Sequence, residues 1–210
     1  MYATVEVRWF YRGPIPPPVK AWFERGGPGV ERQPVRVDHY LQLPSGDNLN
    51  IKLRQGRIEI KRRTAPARMT QFHERAAGAV EAWQKWSFEL AAPDSAGTRC
   101  LSPPSAWIPV RKARRLRTYQ VTGGLAGAAE PASETPDRGC EVELTHVDVL
   151  GETWWTLAFE AFGPEAGLQE TLLLVAERVF GDDEPPQLRA NASYGYAAWL
   201  GTIAPREARR

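Results

Sequence analysis

Cysteine is scarce in this chain: only Cys100 and Cys140 occur in 210 residues. Two thiols cannot make a disulfide framework, and neither lies in a CxxC pair or another metal-ligand spacing. A reducing compartment is therefore expected. Long apolar runs are also missing, so no segment is suited to span a bilayer. Met1 leads into charged, alternating sequence rather than a signal peptide. Together these absences predict a soluble, cytoplasmic protein with no membrane partner. The sequence contains no GxxxxGKS/T phosphate loop and no GxSxG elbow. His39, His73 and His146 are scattered without ligand spacing. A formal net charge of only +2 gives no general attraction to nucleic acid.

What the chain does have is alternation. Apolar residues make up 42% of it, enough for a core, and all-β barrels of this size commonly form one unit. In residues 2–11, Ala3, Val5, Val7 and Trp9 share one face, while Thr4, Glu6 and Arg8 share the other. Further strands are predicted over 36–43, 48–54, 57–63, 106–121, 140–149 and 153–162. Gln55-Gly56 splits two alternating runs and marks a tight hairpin. Pro44-Ser45-Gly46-Asp47 reads as a turn. Pro109 suggests an edge or a bulge at the start of the long strand. Helices are predicted over 19–25, over 74–91 (from Ala76, Val80, Trp83 and Leu90), over 164–180 and over 194–200. Residues 122–138 read as a loop. No repeat or linker divides the chain, so residues 1–210 are expected to form a single domain.

The charges are sorted by strand face. Lys52 and Arg54 point one way on their strand, as do Arg57, Glu59, Lys61 and Arg63 on the next. The tight turn makes these strands neighbours, so Lys52, Arg54, Lys61 and Arg63 gather on one surface. Like charges side by side on a sheet repel, and an anion or carboxylates must neutralise them. Lys112 and Arg114 lie opposite Arg111, Arg115 and Arg117 on the long strand. Either set can join the cluster. Glu141 and Glu143 share a face of the 140–149 strand, and Glu6 and Glu160 stand on two others. An open sheet with one solvated face is the simpler alternative. The separation of basic from acidic strands favours a sheet curled with its charged face inward and its apolar face under helices.

These pieces resemble the CYTH superfamily, the triphosphate tunnel metalloenzymes. The likeness is carried by Val5-Glu6-Val7-Arg8, Asp38-His39-Tyr40, Ile51-Lys52-Leu53-Arg54, Ile58-Glu59-Ile60-Lys61-Arg62-Arg63, Val110-Arg111-Lys112-Ala113-Arg114 and Cys140-Glu141-Val142-Glu143-Leu144, in that order. The resemblance implies an α+β, mainly β fold: an antiparallel, closed or nearly closed tunnel barrel over about residues 2–162, with helices packed outside and C-terminal helices at about 164–200. It implies that Arg8, Lys52, Arg54, Lys61, Arg63, Lys112 and Arg114 hold phosphates. It implies that Glu6, Glu141, Glu143 and Glu160 hold magnesium or manganese, with Glu141 and Glu143 catalytic. The family's opening ExExK pattern is altered here, with Thr4 at the first glutamate and Arg8 at the lysine.

The residue types suit that chemistry. Guanidinium groups make charge-assisted, often bidentate bonds to phosphate, and lysine acts as a point charge. Magnesium takes one or two carboxylates besides phosphate and water. Hydrolysis by in-line attack of water needs no covalent nucleophile. The expected activity is therefore metal-dependent hydrolysis of an inorganic or small organic triphosphate. A non-catalytic polyphosphate- or nucleotide-binding module is the alternative, supported by the reduced carboxylate set. An adenylate-cyclase-type activity is a lesser possibility of the same family. Nucleic-acid binding through the basic hairpin is disfavoured by the interleaved glutamates.

Overall fold

Alternating sequence becomes strand wherever a partner can be paired on each side, and here the pairing closes on itself. The computed structural model describes residues 1–25, 31–43, 47–90, 106–122, 128–132, 136–181 and 184–204. Its elements in chain order are β1 (Tyr2–Arg12), α1 (Pro17–Arg25), β2 (Glu31–Arg32), β3 (Arg36–Leu41), β4 (Leu49–Arg54), β5 (Arg57–Arg63), β6 (Arg68–His73), β7 (Ala76–Glu89), β8 (Trp107–Thr122), β9 (Ala128–Ala132), β10 (Gly139–Val149), β11 (Glu152–Phe162), α2 (Leu168–Gly181) and α3 (Tyr196–Ile203). The strands run in the order β1-β11-β10-β8-β3-β4-β5-β7, and β7 pairs back with β1. Eight antiparallel strands thus form a closed barrel. β6 adds to β7, while β3, β2 and β9 line successive stretches of one edge of β8.

The two tight hairpins of the barrel have the same local cause. Gln55 and Gly56 have φ of 48° and 73°, and Leu150 and Gly151 have 51° and 76°. Two successive positive φ values give the turn whose twist matches the flanking strands, and a glycine at the second position makes it accessible. The β4–β5 register places Lys52 opposite Glu59 and Asn50 opposite Lys61.

The apolar face of the barrel wall lies outward. Val7 and Trp9 of β1, Val142 and Leu144 of β10, and Leu157 and Phe159 of β11 are buried beneath Leu172, Val175 and Phe180 of α2 and Trp22 and Phe23 of α1. Burying a side chain of this size is worth about 1.5–3 kcal/mol, so these helices hold the wall in shape. Gly78 permits a close approach of the wall: a Cβ there would lie 2.6 Å from the Trp9 ring. Leu173 of α2 faces solvent.

Several sequence expectations change. Residues 74–91 were predicted as a helix but form β7. Its alanines and its Ala76–Val80 spacing fit a helix, yet β7 is paired by β5, β6 and β1, and those ladders override local propensity. β6 was not foreseen. Within the predicted loop 122–138, β9 pairs with β8. Pro109 lies before the β8–β10 ladder begins at Val110, so its missing N–H costs nothing there. Residues 44–46 of the predicted turn lie outside the described residues. No helix among the described residues is long and apolar enough to cross a membrane.

Candidate functional site

Strand alternation sends the other face of the wall into the barrel, and that face is charged. A cavity of about 310 Å³ occupies the upper lumen. Its lower end is filled: α3 enters the barrel, and its Trp199 and Leu200 pack with Phe10, Ile108, Val110, Val147 and Val149. The Phe10 and Trp199 rings stack at 4.2 Å and Tyr40 stacks on Tyr196 at 5.0 Å.

The basic wall is built on β3, β4, β8 and their neighbours. Glu59 of β5 accepts Arg54 Nη2 at 2.8 Å, Lys52 Nζ at 2.9 Å and Lys85 Nζ at 3.3 Å. Asp38 of β3 takes Lys112 Nζ at 3.1 Å and Arg36 Nε at 3.1 Å. Glu143 of β10 accepts Arg8 Nη1 at 2.6 Å and Arg114 Nη1 at 2.9 Å, and the Thr145 hydroxyl donates to it at 2.8 Å. Seven cationic side chains thus share three carboxylates, a surplus of up to four positive charges on this wall.

The electrostatics follow from that crowding. Burial opposes ionisation of Glu59, but Lys52, Lys85 and Arg54 outweigh it and bring its pKa down to about 2. Burial likewise opposes the Glu143 charge, and Arg8 and Arg114 hold it well below the usual carboxylate range. Lys52 shows the converse: burial lowers it to about 8 despite Asp38 and Glu59. Burial pushes Lys112 well down too. Its ammonium donates to the Tyr40 hydroxyl at 2.6 Å and lies 3.8 Å from the Tyr196 ring centre.

The opposite wall is acidic. Cross-strand register sets Glu81 of β7 beside Glu6 of β1, Glu6 beside Glu160 of β11, and Glu160 beside Glu141 of β10. Four glutamates therefore stand abreast on adjacent strands, and all four line the cavity. Like charges directly opposite are destabilising unless compensated. Lys61 reaches across from β5 to Glu6 at 3.2 Å and Glu160 at 3.0 Å, and Arg63 binds Glu81 at 2.8 Å. Burial opposes the Glu160 charge, but Lys61 and then Lys85 bring its pKa down to about 2. Glu141 has no side-chain hydrogen bond or ion pair among the described residues, and burial, then Glu160 and Glu143, raise its pKa.

Of the residues singled out in the sequence, Glu6, Arg8, Lys52, Arg54, Lys61, Lys112, Arg114, Glu141, Glu143 and Glu160 all line this one cavity. Arg63 does not. It shares the parity of Lys61 but stands at the end of β5, where Asp47 and Glu81 engage its guanidinium. Arg111 and Arg115 point outward to Asp148 and Glu24, and Arg117 lies on the Phe23 ring. Sequence reading missed Arg36, Lys85, Glu81 and Tyr196 as cavity residues. Lys85 and Glu81 were hidden by the helix assigned to 74–91, although their two- and four-residue spacing around Trp83 is a strand signal. Nothing local announces that Tyr196 enters the barrel.

The four carboxylates expected to hold metal do not make a ready cage. Among the described residues no three of His, Cys, Asp or Glu are grouped so as to hold a metal ion. Glu143 is taken by two arginines, and the Lys61 ammonium stands between Glu6 and Glu160. Of the four, Glu141 alone has no partner among the described residues, with Glu160 alongside.

No family model matches the chain, and no curated protein matches it. Solved structures similar to it include a conserved hypothetical protein from Pyrococcus furiosus, with 11% identity over 93% of this chain and 98% of that one, at a TM-score of 0.48. A protein from Pyrococcus horikoshii is similar at 12% identity over 95% and 99% of the two chains, with a TM-score of 0.47. A protein from Bacillus halodurans, provisionally described as an adenylate cyclase, is similar at 14% identity over 98% and 100%, with a TM-score of 0.36.

Proposed function

We propose that this chain binds a triphosphate in the barrel and hydrolyses a phosphoanhydride bond of it. The observation that supports this reading most is the bipolar lumen, with a cationic wall on β3, β4 and β8 facing a row of four glutamates. The cations are held apart by only three carboxylates, so a polyanion gains many charge-assisted bonds without requiring the wall to rearrange. Low local dielectric strengthens each bond, and preorganised cations also stabilise charge that develops on a transferring phosphoryl group.

Within this reading Arg8, Lys52, Arg54, Lys112 and Arg114 grip phosphate oxygens. Glu141, unpaired and raised in pKa, is the carboxylate free to orient an attacking water and accept its proton. Glu143 serves by positioning Arg8 and Arg114. The residues suit a magnesium or manganese ion that arrives on the ligand's own phosphates, because magnesium keeps several waters and needs only one or two carboxylates. Glu141 is the carboxylate available to it, with Glu160, held by Lys61, alongside, and the ion would supply neutralisation of phosphate charge.

A second reading is favoured by one observation. Glu143, Glu6 and Glu160 are already engaged by Arg8, Arg114 and Lys61, which fits a module that binds polyphosphate without turning it over. A panel of inorganic and organic triphosphates, with and without magnesium or manganese, separates the two. Phosphate release with one member of the panel supports hydrolysis. Tight binding by calorimetry with no release under any condition transfers the conclusion to the binding module. Absence of both refutes the phosphate reading.

A further inference from the structure

Among the described residues the charged lumen opens at its upper end. At its upper end stand Tyr2, Phe162 and Lys85, and Tyr2 is 48% exposed. Tyr2 and Arg8 are six positions apart on β1, roughly 20 Å of extended chain. Below Arg8 the lumen is filled by packed apolar side chains. Val110, Val147 and Trp199 are at most 1% exposed and pack in one cluster with Phe10, Ile108 and Leu200. Tyr196, the first residue of α3, is where the charged and apolar halves meet. Its ring lies 5.0 Å from the Arg8 guanidinium, 3.8 Å from Lys112 and 5.0 Å from the Tyr40 ring.

The Tyr196 side chain also carries an unsatisfied group. Its hydroxyl is buried and finds no hydrogen-bond partner among the described residues, and the residue faces the cavity. Buried hydroxyls are rarely left without a partner. Burial raises its pKa, with Arg8 and Glu143 its foremost charged neighbours. The phenol is therefore a donor set among the cations at the bottom of the site, where an anion's oxygen would complete it.

We propose that Tyr196 is the floor of a dead-ended cup: a linear polyphosphate enters end-on between Tyr2, Phe162 and Lys85, and its leading phosphoryl group stops against the Tyr196 hydroxyl. The site then binds chain ends and rejects the interior of a long chain, since an interior segment would have to leave through α3. This selectivity rests on the phosphate reading above. The closed floor does not, and it can be tested apart from any ligand.

For the floor, single cysteines are placed at Asn50, in the charged lumen, and at Val110, below Tyr196. They are exposed to a small charged methanethiosulfonate, with modification read by peptide mass and folding checked by thermal melts. Asn50→Cys is modified and Val110→Cys is protected, and adding Tyr196→Ala to Val110→Cys exposes it. Equal modification of the two single variants overturns the floor. For the ends, calorimetry compares inorganic tripolyphosphate with long-chain polyphosphate. The expected stoichiometry is one protein per chain end, independent of chain length. Protein bound in proportion to chain length overturns the proposal. Tyr196→Phe keeps the ring and removes the donor, so tripolyphosphate affinity should fall roughly tenfold with an unchanged melting temperature; unchanged affinity removes the hydroxyl from the site. If wild type binds no polyphosphate, the end-on proposal falls together with the phosphate reading, and the labelling result still decides the floor.

Discussion

Replacing Glu143 and Glu141 separately by glutamine should have opposite effects on stability, although the two residues lie two apart on one strand face. Glu143 offers both oxygens to buried donors: Arg8 and Thr145 on one, Arg114 on the other. Its side chain and that of Arg8 are 10% and 8% exposed. Glutamine keeps one acceptor and turns an N–H₂ donor toward groups that also donate. Removing one partner of a buried ion pair costs about 3–5 kcal/mol, and the retained acceptor argues for the lower end, about 3 kcal/mol. For a chain of this length that corresponds to a melting temperature lower by roughly 6–12 °C. Because the folded carboxylate lies well below its usual pKa, its contribution is complete above the unfolded value near ~4.3 and is lost only as pH falls through the lowered folded value. The difference from wild type should therefore be full at neutral pH and persist into mild acid. Glu141 behaves the other way. Its folded pKa is raised by burial and by Glu160 and Glu143, so the native state loses stability as pH climbs from the unfolded value through the folded one. Glu141→Gln removes that penalty, and stability at pH 7 should hold or rise. Urea titrations at pH 7 and pH 5 measure both. A Glu143→Gln midpoint equal to wild type would refute the assignment of Glu143 to holding the arginines. A large loss in Glu141→Gln would show that this carboxylate has a structural partner.

Two further outcomes follow from the basic wall. Arg54→Ala leaves Glu59 with Lys52 and Lys85, so the fold should survive while triphosphate affinity falls about tenfold or more, by loss of a charged hydrogen bond of ~1.5–3 kcal/mol; unchanged affinity by calorimetry places Arg54 outside the contact. Lys52, lowered to about 8 by burial, should take up a proton when an anion binds beside it. Above pH 8 triphosphate affinity should therefore fall, and the binding enthalpy at pH 8.5 should differ between buffers of different ionisation enthalpy; identical enthalpies would mean that Lys52 does not meet the ligand.

Much of this lumen is written in short-range pattern. A period of two fixes which side chains share a face, so Lys52 with Arg54, Glu141 with Glu143, and Lys112 with Arg114 are readable as pairs from the sequence alone. Gln55-Gly56 fixes the register of β4 and β5, and with it the approach of Lys52 to Glu59. Which face of the long strand turns inward is not local information. Lys112 and Arg114 go in and Arg111, Arg115 and Arg117 go out, where Asp148 of β10 and Glu24 and Phe23 of α1 receive them. β7 was misread for the same reason: 76–89 is rich in residues content in a helix, and only the ladders to β5 and β1 commit it to strand. With it went Lys85 and Glu81, and so the fourth member of the glutamate row.

The sequence by itself determined the alternation, the hairpins and the segregation of basic from acidic strands, because these depend on neighbours a few residues apart. Tertiary structure decided what those charges do. Closure between β1 and β7 brings Lys61 to Glu6 across 55 positions of sequence and Arg8 to Glu143 across 135, and it spends most of the carboxylates on lysines and arginines while leaving Glu141 free. It also placed Tyr196 inside the barrel. A helix of eight residues has too little sequence to specify where it docks, and the aromatic surface of Phe10, Tyr40 and Trp154 that receives it exists only once the barrel has closed.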